Sequence, residues 1–120
     1  MAMEAAKSAY APYSDFHVGA ALLASDGRVF SGCNVENASY GLTNCAERVA
    51  LGTAVAAGIR EFSAIAISVK KGGSPCGACR QVLYEFNPQL RVLMADEKGV
   101  LLKERILAEL LPEGFGPNSL

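Results

Sequence analysis

Two short stretches constrain this chain more than any other part of it: Thr43-Asn44-Cys45-Ala46-Glu47-Arg48 and Pro75-Cys76-Gly77-Ala78-Cys79-Arg80. In the first, a cysteine and a glutamate stand close together where an Ala-rich helix begins. In the second, a Gly-rich loop leads into a Cys-x-x-Cys pair and then an apolar helix. A Cys-x-x-Cys at a helix start points both sulfurs at one ion, and soft thiolates select zinc among the available divalent metals. Cys45 can supply a third ligand, which brings the two helix starts to one place and leaves a fourth position open, as a catalytic metal requires.

The partial positive charge at each helix N-terminus favours thiolate over thiol, so Cys45, Cys76 and Cys79 are biased toward the ligating form. Three thiolates on one Zn²⁺ leave a net negative charge that blunts the metal. Arg48 and Arg80, each beside a cysteine motif, are placed to hydrogen-bond the sulfurs and offset it. Glu47 is too near Cys45 in sequence to ligate the same ion easily but is well placed to face a water, which suits a proton carrier.

The rest of the composition narrows the function classes. Half of the 120 residues are apolar (51%), 19% are charged, and the net charge is −1 with the eleven Lys and Arg scattered. That leaves no basic footprint for a polynucleotide. No apolar run approaches the roughly 20 residues of a membrane span. The N-terminal stretch lacks the pattern of a secretory signal, so a cytoplasmic location is expected. Four cysteines in such a chain point to metal or catalysis before disulfides. The single histidine, His17, removes any mechanism that needs two.

Local signals predict a helix over Ala2 to Tyr10, stopped by Pro12. Strands at Val18–Ala24 and Arg28–Asn34 flank an Asp26-Gly27 hairpin turn. After a polar loop, Asn44 caps a helix from about Cys45 to Ala57 that Gly58 ends in a left-handed cap. Ala64–Val69 reads as a buried strand, and Pro75 precedes a helix to about Phe86. Leu90–Ala95 and Val100–Leu102 form a second hairpin, followed by a helix over Lys103–Leu111. The order implies one layered α/β domain over residues 1–120, with a mixed sheet of about five strands flanked by helices.

The Cys-Ala-Glu-Arg and Pro-Cys-x-x-Cys-Arg-Gln motifs resemble those of zinc-dependent nucleoside deaminases, and the chain is similar to the small homotetrameric cytidine deaminases, in which all metal ligands are thiolates. Supporting stretches are Tyr13-Ser14 with Phe16, Val18-Gly19-Ala20-Ala21, Gly32 through Ala38, Leu110-Leu111-Pro112 and Phe115-Gly116-Pro117. The resemblance implies one zinc per chain, a nucleoside substrate, and deamination of cytidine and 2′-deoxycytidine to the uridines and ammonia in pyrimidine salvage. It also implies that Asn34 and Glu36 bind the ribose hydroxyls, that Phe16 packs on the pyrimidine and that the Ala46 backbone recognises the base. Glu47 would carry protons to N3 and then to the departing amine. Tyr40 and Phe115 would complete pockets of neighbouring subunits. The N-terminal helix is shorter than is usual in the family, and His17 has no role in it.

Other readings of the same residues stay open at this point. Glu47 could be the acid of a capping box after Asn44. The Cys76–Cys79 pair could be a redox dithiol, and Cys33 could close a four-thiolate structural zinc, although it lies in an apolar strand pattern. The functional alternatives are a deaminase of another aminopyrimidine nucleoside, such as a nucleoside antibiotic, and a zinc-stabilised module without chemistry.

Overall fold

The first hairpin forms where the sequence sets it. In the computed structural model, which describes residues 1–120, β1 (Gly19–Ala24) pairs antiparallel with β2 (Val29–Cys33). Gly27 supplies the left-handed φ of 95° that the turn needs, and Asp26 Oδ1 accepts the Arg28 amide at 3.0 Å. β3 (Phe62–Ser68) runs antiparallel to β1 on its other side, and β4 (Arg91–Ala95) lies parallel to β3. That parallel pair requires a crossover, which α3 (Gly77–Tyr84) provides. With β5 (Leu101–Ile106) the order is β2-β1-β3-β4-β5, a mixed sheet of five strands flanked by helices as expected.

Strand alternation decides which face each helix covers. Register sets Ala20 beside Gly32 and Ile67, Leu22 beside Ile65, and Val92 and Met94 beside Ile65 and Ile67. These side chains form the buried core with Ala50, Ala54 and Leu83 from α2 (Ala46–Ala56) and α3. On the opposite face, α1 (Ala2–Ala6) presses on Gly19, where a Cβ would stand 1.9 Å from the Ala2 carbonyl oxygen.

Gly32 makes the corresponding contact with α2. A Cβ there would lie 2.4 Å from Ala50 N and 2.5 Å from Ala46 O. Both are backbone atoms, so the helix itself must move. We expect Gly32→Ala to destabilise the protein by about 1–3 kcal/mol, and, because Ala46 begins the helix, to lower metal content as well. Thermal unfolding with elemental analysis on the same sample checks both effects.

The structure corrects four boundaries. The first helix ends at Ala6 instead of Tyr10, because Tyr10 is drawn into an extended bridge with Val35, its N–H donating to Asn34 O and its carbonyl accepting from Glu36 N. Asn44 is not a cap. Its backbone pairs both ways with Val35 at 2.9 Å, so the cap position falls to Cys45. The third helix stops at Tyr84 instead of Phe86. The helix expected over Lys103–Leu111 is mostly strand: Lys103 to Ile106 pair with β4, an Arg91–Glu104 ion pair of 3.0 Å ties the ladder, and only α4 (Leu107–Leu110) is helical. Pairing across the sheet overrides the helix preference of Lys-Glu-Arg. The expected cap at Gly58 forms, with φ 86°. No helix is long and apolar enough to cross a membrane.

Candidate active site

Both motif cysteines that open helices occupy the N-cap position, Cys45 of α2 and Cys76 of α3. Neither caps its helix through the side chain, which leaves the sulfurs free to converge. The thiol sulfurs of Cys45, Cys76 and Cys79 all lie within 4.8 Å of one another, and those of Cys76 and Cys79 are 3.5 Å apart. Ligands at the Zn–S distance of about 2.3 Å in a tetrahedron stand about 3.8 Å apart, so the trio fits a zinc ion after only a small closure. Cys33 is half-buried in β2 and does not join the group, which argues against a closed four-thiolate site.

Arg48 Nη2 donates to Cys45 Sγ at 3.3 Å, while its buried Nε has no partner in the chain. The Cys45 contact, more than any other, holds the guanidinium in its charged form. The three thiols are not equivalent. Burial pushes the Cys79 thiol strongly up, with the nearby Glu47 and Cys76 adding to the shift. At Cys76 partial burial acts upward, but hydrogen bonds from Cys79 and Ala78 outweigh it and the thiol is lowered. Contrary to the helix-start bias expected for all three, burial disfavours a thiolate at Cys79, and a bound divalent cation would supply the positive charge that stabilises it.

Glu47 sits on the first turn of α2 at 5% exposure. Burial raises its carboxyl, against the lowering effect of its own backbone amide and of Arg48. A carboxyl whose pKa is raised holds a proton more readily than a free one, which suits a group that takes and gives a proton. Glu47 lines a cavity of about 240 Å³ together with Cys45, Ala46, Cys76, Phe16 and Asn34. Val18, Thr43, Ile67, Val69, Gly73 and Ser74 also line it; Val18 and Thr43 lie in the quoted motifs, whereas Ile67, Val69, Gly73 and Ser74 were given no site role by the sequence. For Ile67 and Val69 the only signal was the strand pattern, which reads as core.

Residues 1–95 match the model of the family described as the cytidine and deoxycytidylate deaminase zinc-binding region. The chain belongs to this deaminase family. It is 49% identical to cytidine deaminase from Sporosarcina psychrophila, over 98% of this chain and 88% of the relative. Against cytidine deaminase from Mycobacterium tuberculosis the identity is 46%, over 99% of this chain and 87% of the other. The crystal structure of cytidine deaminase from Burkholderia pseudomallei superposes with a TM-score of 0.90 at 53% identity, covering 95% of this chain and 93% of that one. Zinc is accordingly the metal of this deaminase domain, and the thiol trio is positioned to hold it.

Against the deaminase motifs, the remaining residues fall into two groups. Asn34 is buried and spans the wall: Nδ2 donates to Phe16 O at 2.8 Å and Oδ1 accepts from Val18 N–H at 3.0 Å. Phe16 stands half-exposed at the rim. Glu36 lies outside this cavity, in an adjoining one that shares Thr43 and includes Tyr40. Its carboxylate accepts the amides of Tyr13 at 3.0 Å and Ser14 at 3.2 Å and the Ser14 hydroxyl. The hydroxyl contact is the main reason its carboxyl is lowered. Tyr40 is 75% exposed and Phe115 59% exposed, and neither lines the cavity of Glu47.

Arg80 differs from expectation. It reaches no sulfur. Its Nε donates to Pro75 O at 2.7 Å, Nη1 to Leu110 O at 2.7 Å and Nη2 to Ser74 Oγ at 2.8 Å. The guanidinium pins the loop before Cys76 to α4, so its influence on the thiols is through backbone position. The next residue, Gln81, holds the Phe115 carbonyl at 2.8 Å and so fixes the C-terminal segment.

Proposed function

We propose that this chain deaminates cytidine and 2′-deoxycytidine hydrolytically, giving uridine or 2′-deoxyuridine and ammonia in pyrimidine salvage. The observation that carries the reading is the buried Glu47 carboxyl in one small cavity with two of three convergent thiols. Cys45, Cys76 and Cys79 would hold zinc, one per chain, with Glu47 as proton carrier. The metal when bound lowers the pKa of a water from about 15.7 to about 7. Glu47 takes the proton that water gives up and delivers it to N3 as the new C–O bond forms at C4. Glu47 would then take the remaining proton from the new C4 hydroxyl and give it to the amine, so that the C4=O carbonyl forms as the C4–N bond breaks and ammonia leaves.

Phe16 would cover one face of the pyrimidine and the backbone of Ala46 would meet the base edge, a reading supported by both residues lining the cavity of Glu47. Asn34 and Glu36 would bind the ribose, with the long-range bonds they already make within the chain holding the segment from Tyr13 to Val18 in register. Tyr40 and Phe115, exposed in one chain, suit a homotetramer in which each covers a neighbour's pocket. Four free thiols suit a reducing compartment, which supports a cytoplasmic location. The whole chain, 1–120, would act as one domain.

Incubating the zinc-loaded protein with cytidine, deoxycytidine and cytosine, while following loss of the cytosine absorbance, tests the activity. Turnover of both nucleosides with little or none of the free base is expected, and inertness toward both nucleosides would refute it. For Arg48, whose guanidinium touches Cys45 Sγ, we expect Arg48→Ala to cut kcat/KM by about 10- to 100-fold with a smaller loss of zinc. Parallel kinetics and elemental analysis separate the two.

A further inference from the structure

A second and larger cavity, about 420 Å³, opens on the far side of the Gly73-Ser74 loop. Those two residues line both cavities, so an occupant of the second would rest on the wall of the first. It is lined by the cations Lys71, Lys103 and Arg105 and by the apolar side chains of Met94, Leu102 and Leu110. None of the three cations belongs to any of the chain's four ion pairs, Lys7–Glu4, His17–Asp15, Arg28–Asp26 and Arg91–Glu104. Glu97 accepts the Lys71 amide at 2.8 Å, and neither it nor any other acidic residue is among the lining residues.

Three unpaired like charges round one groove repel one another, and an anion that bridges them relieves that repulsion. The strand pairing makes the gathering deliberate in space. Lys103 and Arg105 alternate on β5 and so project to one side of the sheet, the side of Met94 and Val92, to which they are registered. Lys71, with φ 64°, turns the loop back over the same edge beside Gly72, which lies against Leu102. The volume is that of a small-molecule site. Cations beside apolar side chains match a molecule with a multiply charged end and a flat apolar end.

We propose that this groove is a second binding site, separate from the catalytic cavity, for a nucleoside polyphosphate, with the phosphates on Lys71, Lys103 and Arg105 and the base against Met94, Leu102 and Leu110. The test is titration calorimetry of the full zinc-loaded protein with tripolyphosphate, ATP and adenosine at low and moderate salt. ATP is expected to bind at least tenfold tighter than tripolyphosphate, and both should weaken as salt rises. The exposed double variant K103E/R105E should lose at least tenfold in affinity for both while deaminating cytidine at the parental rate, which shows that it has folded. Leu102→Ser should weaken ATP and leave tripolyphosphate unchanged. Equal affinities of ATP and tripolyphosphate would overturn the assignment to a nucleotide, and titration heats unchanged in K103E/R105E would overturn the site. Should that variant fail to fold, K103Q/R105Q removes the charge without reversing it and is read in the same way.

Discussion

Glu47→Gln is expected to reduce kcat by about 10²- to 10⁴-fold while leaving zinc content intact and thermal stability equal or higher. The direction of the stability effect follows from burial. Glu47 is 5% exposed and its carboxyl is raised by desolvation, so the ionised form is costly in the folded chain. An isosteric amide fills the same space without ever ionising, removing that cost above the unfolded carboxyl pKa. It cannot carry a proton. A capping role for Glu47 gives the opposite pattern, with stability lost and turnover kept, so one variant measured by kinetics, elemental analysis and thermal unfolding decides between the roles. Activity within tenfold of the parent would remove Glu47 from the chemistry.

Cys79→Ala is the second large effect. Its sulfur is fully buried, and it belongs to the trio that lies within 4.8 Å. Removal leaves two thiols, and zinc is expected to fall below about a tenth of an equivalent, with activity lost in step. The stability change follows from linkage: a metal present at 1,000 times its Kd stabilises the folded state by at most about 4 kcal/mol, less whatever the unfolded chain's Cys76–Cys79 pair retains. For a chain of this size that ceiling corresponds to a melting temperature lower by roughly 15 °C. Adding chelator to the parent protein should reproduce most of the shift and should not lower the variant further. A variant that keeps a full equivalent of zinc would exclude Cys79 as a ligand.

Local chemistry was legible in the sequence wherever a few neighbouring residues determine the outcome. The Asp26-Gly27 turn and the Gly58 cap needed only the preference of glycine for φ near 95° and 86°. The metal centre was legible as spacing, because three sulfurs beside two helix starts have few other uses. What failed to show depended on distant partners. Lys103 to Ile106 look helical until β4 is beside them. Arg80 looks like a counter-charge until Leu110, thirty residues further on in α4, offers its carbonyl. Glu36 looks free until the Tyr13-Ser14 amides reach it.

The placement of the thiols has a consequence for how metal reports on folding. Cys76 and Cys79 share one turn of α3, whereas Cys45 reaches them only after α2 has settled on Gly32 and β3 has paired with β1. An unfolded chain thus already offers a two-sulfur clasp, and only the third ligand is exclusive to the native state. Metal bound by the clasp stabilises folded and unfolded chains alike, which leaves the preference for the folded form to Cys45. The first helix start, more than the Cys-x-x-Cys that looks stronger in the sequence, is where the ion distinguishes a finished molecule from an unfinished one.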